Sequence, residues 1–106
     1  MANALQSVPV VALGAGFATI YTVPALTKFT VAVLHICNST GAPVALRACL
    51  VPTAGSPTAS NALAWDFGVS ANGILELARG QIWLPGDSLQ ALGSGVSLHL
   101  SGIETT

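Results

Sequence analysis

The stretch FTVAVLHICNSTGAPVALRACLVP, Phe29 to Pro52, constrains the fold more than any other part of the chain. Val, Ile, Phe and Thr dominate the first half and Val, Leu and Ala the second, so each half reads as a mainly apolar strand, and NSTGAP between them reads as a turn. Successive side chains in a strand point to opposite faces. In Thr27 to Asn38 one face carries Thr30, Ala32, Leu34 and Ile36, and the other carries Phe29, Val31, Val33, His35 and Cys37. The return run sets Val44, Leu46, Ala48 and Leu50 against Ala45, Arg47, Cys49 and Val51. A half-exposed strand alternates apolar and polar, and this pair does not. The pattern predicts that Leu34, Ile36, Val44 and Leu46 fill a core while Val31, Val33 and Val51 are covered by a partner chain. Arg47 marks the outer face of the return strand, and His35 marks the matching one. By contrast VSLHLSGIE near the end alternates conventionally, with Val96, Leu98 and Leu100 inward and Ser97, His99 and Ser101 outward.

Read as a hairpin turning near Thr40 and Gly41, the stretch sets Cys37 opposite Val44. Cys49 then lies about five residues, roughly 16 Å, further along. A disulfide needs Cα atoms within about 7 Å, so two buried, reduced thiols are expected, in keeping with assembly in a reducing cytoplasm.

Gly or Pro interrupts almost every window of ten residues, which leaves helices no room and predicts an all-β chain. Strands are expected at Val8 to Leu13, Phe17 to Val23, Thr27 to Asn38, Pro43 to Val51, Leu63 to Phe67, Gly73 to Leu77, Ser88 to Leu92 and Val96 to Ile103. About eight strands suit an antiparallel two-sheet sandwich of jelly-roll type. Residues 1–16 are expected as an N-terminal arm or edge strand, and 17–106 as a single β-sandwich domain. In LPGDS, Pro85 and Gly86 stand where a type II turn wants them, Asn38 suits an Asx turn, and SANG ends in a favoured hairpin pair. VPTAGSPTASN, Val51 to Asn61, is a long loop: either a surface crossover between sheets or a contact loop that orders against a neighbouring subunit.

Charge separates the function classes. Hydrophobic residues make up 52% of the 106 residues and charged residues 7%, where about 25% charged is usual. So few charges leave little to hold copies apart, which predicts a surface partly covered by partners. Three basic residues, Lys28, Arg47 and Arg79, cannot neutralise a nucleic-acid backbone, so no nucleic acid is expected. Pro9, Gly14, Gly16, Pro24 and Thr27 break every apolar run short of a membrane-spanning helix, and no Lys or Arg precedes the first run as in a secretory signal.

The chemistry-bearing residues are sparse. His35, His99, Cys37, Cys49, Asp66, Glu76, Asp87 and Glu104 have no metal-ligand spacing, although His35 and Cys37 share a strand face. No nucleophile elbow, no Cys with an obvious base and no carboxylate pair stands out, so no enzyme, metal or cofactor is expected. Trp65 shares its face with Leu63 and Phe67 and is expected in the core, whereas Trp83, just before a turn, is expected at a subunit boundary.

The pieces YTVPA (Tyr21 to Ala25), CN (Cys37 and Asn38), LPGD (Leu84 to Asp87) and SGIE (Ser101 to Glu104) stand in an order that resembles a family of small bacteriophage virion β-sandwich proteins, the capsid decoration, cement or head-tail accessory type. Such sequences usually carry a charge in or just before the strand leading into CN, and here only Lys28 precedes it. The resemblance implies a structural protein on the outer capsid surface of a virion, assembled in the host cytoplasm and capping capsomer junctions as a homotrimer. Its partners would be itself and the major capsid protein, with no membrane. The residues expected at the subunit or capsid interface are Val8, Val10, Val31, Val33, His35, Arg47, Val51 and Trp83. The alternative is a tail fibre or spike module that binds a host-surface carbohydrate or receptor.

Overall fold

The structure, a computed structural model, describes residues 3–106. Its strands are β1 (Asn3–Ala12), β2 (Ala18–Thr22), β3 (Lys28–Asn38), β4 (Val44–Val51), β5 (Ala62–Val69), β6 (Ile74–Leu77), β7 (Ile82–Trp83), β8 (Ser88–Leu92) and β9 (Val96–Thr105), with one 3-10 turn at Ala59–Asn61. Every pairing is antiparallel, and the pairs nest: β1 with β9, β2 with β8, β3 with β6 and β7, β4 with β5. The chain is thus one long hairpin with the β4–β5 connection at its tip. Rolling that hairpin adds β3 to β9 and β4 to β8 and yields two sheets, β1-β9-β3-β6 with β7 also on β3, and β2-β8-β4-β5. This is a jelly-roll sandwich, as the turn and strand spacing predicted. Of the expected N-terminal arm, Met1 and Ala2 lie outside the described residues, and Asn3–Ala12 forms an edge strand along β9.

The expected hairpin does not form. Both edges of β3 are taken, by β9 on one side and by β6 and β7 on the other, and β4 belongs to the opposite sheet. NSTGAP is instead a corner between sheets, and Asn38 holds it. Asn38 is fully buried, its amide donating to the Ala42 carbonyl at 2.9 Å and the Val69 carbonyl at 3.0 Å. Its Oδ1 accepts from the Thr40 backbone N–H at 3.0 Å, the Asx turn its position suggested. SANG likewise turns a corner from β5 to β6, closed by Gly73 N–H to the Ser70 carbonyl at 2.9 Å with Asn72 at φ 57°. At LPGDS the type II turn forms: Asp87 N–H reaches the Leu84 carbonyl at 3.0 Å, and Gly86 takes φ 87°.

A bulge in β3 and a covered outer face of β4 resolve the two-faced pattern. The register of β3 against β9 shifts between Val31 and Val33, so the inward parity changes there. Phe29 and Val31 point inward before the shift, Leu34, Ile36 and Asn38 after it. An extra residue in a strand re-aims everything beyond it. β4 keeps one register along β8, the extra residues of its pairing with β5 lying on β5, and Val44, Leu46, Ala48 and Leu50 face the core as their parity predicted. Cys49 and Val51 are buried on its other face, where Cys49 Sγ donates to the Thr58 carbonyl of the loop before β5. Both apolar sets are therefore consumed inside one chain. Val31 and Val51, each 1% exposed, and Trp83 at 0% are buried within the chain, contrary to the expectation that partners cover them. Phe29 and Trp83 pack with ring centroids 5.7 Å apart, and the indole N–H donates to Gln81 Oε1 at 3.0 Å. Burying each such side chain contributes about 1.5–3 kcal/mol.

A polar tie joins the sheets at one end. The Tyr21 hydroxyl on β2 donates to the Glu104 carboxylate on β9, with the Tyr21 ring 4.8 Å from that of Phe29. Burial first, then the bond to Glu104 and its charge, push the phenol well above its ordinary value. The unfolded chain loses this proton near pH 10 while the folded chain keeps it, so the tie's contribution is full below that pH and declines as pH rises above it. Tyr21→Phe is expected to cost about 1.5 kcal/mol at neutral pH, and to flatten the alkaline decline seen in urea titrations from neutral to strongly alkaline pH.

Candidate assembly surface

The conventional alternation of β9 sets Ser97, His99, Ser101 and Ile103 on the outer face of the β1 sheet, and pairing arranges them into rows. Leu5 of β1, Ile103 of β9, Thr30 of β3 and Ile82 of β7 stand directly opposite one another across all four strands. Leu5 is 86% exposed, Ile82 61% and Ile103 38%. These three form an apolar stripe from one sheet edge to the other, broken only by exposed Thr30. The neighbouring row is Ser7, Ser101 and Val33. Small side chains there leave a shallow, mainly apolar groove of about 340 Å³, lined by Leu5, Gln6, Ser7, Ala32, Ser101, Gly102 and Ile103. Leu26 and Leu84, in the loops after β2 and β7, are exposed as well.

Further along this face His99, His35 and Glu76 form a row on β9, β3 and β6. The two imidazoles meet edge to face at 5.7 Å, and His35 Nδ1 lies 3.6 Å from the Glu76 carboxylate. Cys37 is half-buried between Ser97 and Ile74, while Cys49 is buried in the other sheet, and both are free thiols. Burial pushes the Cys49 thiol up, and its S–H donates to the Thr58 carbonyl at 3.5 Å. Among the described residues no three His, Cys, Asp or Glu side chains converge on a point that could hold a metal ion.

On the opposite sheet one bulge builds a second cluster. Between the Leu46–Phe67 and Ala48–Ala64 pairs, Trp65 and Asp66 together oppose the single residue Arg47, with Asp66 at φ 52°. The guanidinium clasps Asp66 through Nε at 2.6 Å and Nη2 at 3.0 Å and covers the Trp65 ring at 4.0 Å. That bond holds the Asp66 carboxyl below its ordinary range and raises the guanidinium. Trp65 also stacks on Phe17 at 6.4 Å and is half-buried, so the expected core position is not its place: the bulge turned it outward. All of these groups are partnered within the chain.

Of the expected interface residues, Val31, Val51 and Trp83 are thus withdrawn from the surface. Val8 is half-buried against the core, Val33, His35 and Arg47 are half-exposed, and Val10 is 58% exposed. The stripe itself went unread in the sequence. Ile103 was legible there, because the outward parity of Ser97, His99 and Ser101 continues onto it. Leu5 lay in a segment read as an N-terminal arm or edge strand with no face assigned, and the two residues of β7 carry no periodic signal.

No protein-family model matches the chain, and no curated protein matches it in sequence. Among solved structures it is similar to a chain in the structure of infectious bursal disease virus Gx strain, with a TM-score of 0.51 and 12% identity. That likeness is one of fold. It covers 98% of this chain and 33% of the other, so the present chain spans about a third of that neighbour's length.

Proposed function

We propose that the chain is a non-enzymatic virion structural protein, a capsid decoration or cement protein that caps capsomer junctions on a phage head as a homotrimer. The observation that carries this reading is the exposed apolar stripe Leu5, Ile103 and Ile82 on a chain with only 7% charged residues. A monomer rarely leaves such a row to water unless something covers it. The jelly-roll sandwich, its fold likeness to a chain of a virus structure and the short motifs resembling bacteriophage virion proteins support the same reading. Many copies on a lattice turn individually weak apolar contacts into firm attachment, since each bound copy restricts the next. A spike module that binds carbohydrate needs exposed aromatic rings, and Trp83 is buried.

Mixing the purified protein with expanded phage heads that lack it tests the proposal. Saturable co-sedimentation, with heads more resistant to heat, is the expected result. Heads that sediment bare at every protein concentration would overturn it.

A further inference from the structure

We propose that His35 and His99 together chelate one divalent ion of the zinc, nickel and copper class, with the Glu76 carboxylate orienting His35. This goes beyond the assembly reading and stands or falls separately from it. Both histidines of the chain lie in this one row, directly opposite each other on β3 and β9. Residues so opposed on antiparallel strands hold their Cβ atoms about 4.5–5.5 Å apart. β3 is paired on both sides at His35, with His99 on β9 and with Glu76 on β6, so the sheet fixes the backbone at all three positions.

The ring spacing agrees. Imidazole is a preferred ligand of zinc, copper and nickel. With metal–nitrogen bonds of about 2.1 Å and tetrahedral angles, two imidazole centroids on one ion stand about 5 Å apart. The His35 and His99 centroids are 5.7 Å apart, with the ring planes at 80°. Rotation about the side-chain bonds closes the remaining gap while both strands stay in place.

Glu76 selects the nitrogen. His35 Nδ1 faces the Glu76 carboxylate at 3.6 Å. A neutral imidazole that keeps its proton on that side leaves the Nε2 lone pair for an ion. A carboxylate behind the second ring nitrogen is the usual support of a ligating histidine.

The surroundings define the class of ion. His99 is exposed, and the side chains of His35 and Glu76 are partly so, which lets an ion enter from solvent and lets water complete its coordination. Among the described residues no three side chains converge, so the protein supplies two ligands and the site is open, unlike a closed structural zinc site. One carboxylate is too few oxygens for calcium or magnesium. The neighbouring rows hold Ser101 with Val33 and Ser97 with Cys37, and Cys37 is the competing soft ligand.

Isothermal titration calorimetry of the full chain with zinc chloride and nickel chloride, and with magnesium chloride as control, tests the proposal. Zinc and nickel are each expected to bind saturably at one ion per chain, and magnesium is not. His99→Ala and His35→Ala are each expected to weaken zinc binding by at least about tenfold, because a lone imidazole loses the second attachment. Unchanged melting of each variant would show that it is folded, and the exposed position of His99 favours this. Glu76→Gln is expected to weaken zinc binding by about tenfold, the lower end for a supporting carboxylate. Cys37→Ser is expected to bind as the wild type does. No saturable zinc binding, wild-type affinity in His99→Ala or His35→Ala, or loss of binding in Cys37→Ser would each overturn the site. Wild-type affinity in Glu76→Gln would overturn the orienting role of the carboxylate.

Discussion

Trp83→Ala is expected to destabilise the chain by about 3–5 kcal/mol, the range for emptying a core position of a large aromatic. Trp83 is 0% exposed, packs on Phe29 and has its indole N–H satisfied by Gln81, so truncation leaves a cavity and an unpaired amide oxygen. Domains of this size are stable by about 5–15 kcal/mol, so the variant would lie close to the edge of folding at ambient temperature. Urea unfolding at one fixed protein concentration measures the effect, and Trp83→Phe, which keeps most of the volume, should recover much of it. A boundary role, as its position before a turn suggested, makes the opposite prediction: an unchanged unfolding midpoint and a weakened oligomer.

Gly102→Ala should cost about 3 kcal/mol, the upper part of the usual overpacking range. A Cβ at Gly102 would stand 2.3 Å from the Thr30 carbonyl oxygen and 2.6 Å from Phe29 Cζ. The first of these is backbone, fixed by the β3–β9 ladder, and the second belongs to a fully buried ring. Neither can give way without opening the sheet at the point where β3 shifts register. Gly68→Ala is the control, because nothing lies within 4 Å of a Cβ there, and it should move the midpoint by less than about 0.5 kcal/mol. Equal effects of the two substitutions would argue against the close β3–β9 packing described above.

The strands were legible because their signals are local. β8 occupies the very span its alternation predicts, and β3, β4 and β6 begin one residue later than expected and end as expected. The LPGDS turn was equally plain, since Pro and Gly restrict φ within the turn itself. Partner choice was not legible. A turn such as NSTGAP serves a hairpin or a corner between sheets equally well, and the difference lies in Asn38 bonding to Val69, thirty-one residues away. The bulge of β3 was hidden for a related reason. An apolar run that changes its inward parity halfway reads as two apolar faces, and only the partner strand reveals where the change falls. So the surplus of apolar residues at Phe29 to Pro52 was misplaced in the sequence reading. It fills the sandwich, while the surface left for partners comes from Leu5, Ile82 and Ile103.

The histidine row shows the same limit. His35 and His99 are sixty-four residues apart in sequence, and nothing local signals that β9 sets them side by side.

The most direct measurement of the account is the native mass of the purified wild-type chain at micromolar concentration. Burial of the stripe between copies predicts a species near three times the 10.6 kDa chain mass, and that species should dissociate when Leu5 is replaced by Lys. A 10.6 kDa monomer that persists at high concentration, with Leu5, Ile82 and Ile103 open to solvent, would contradict it.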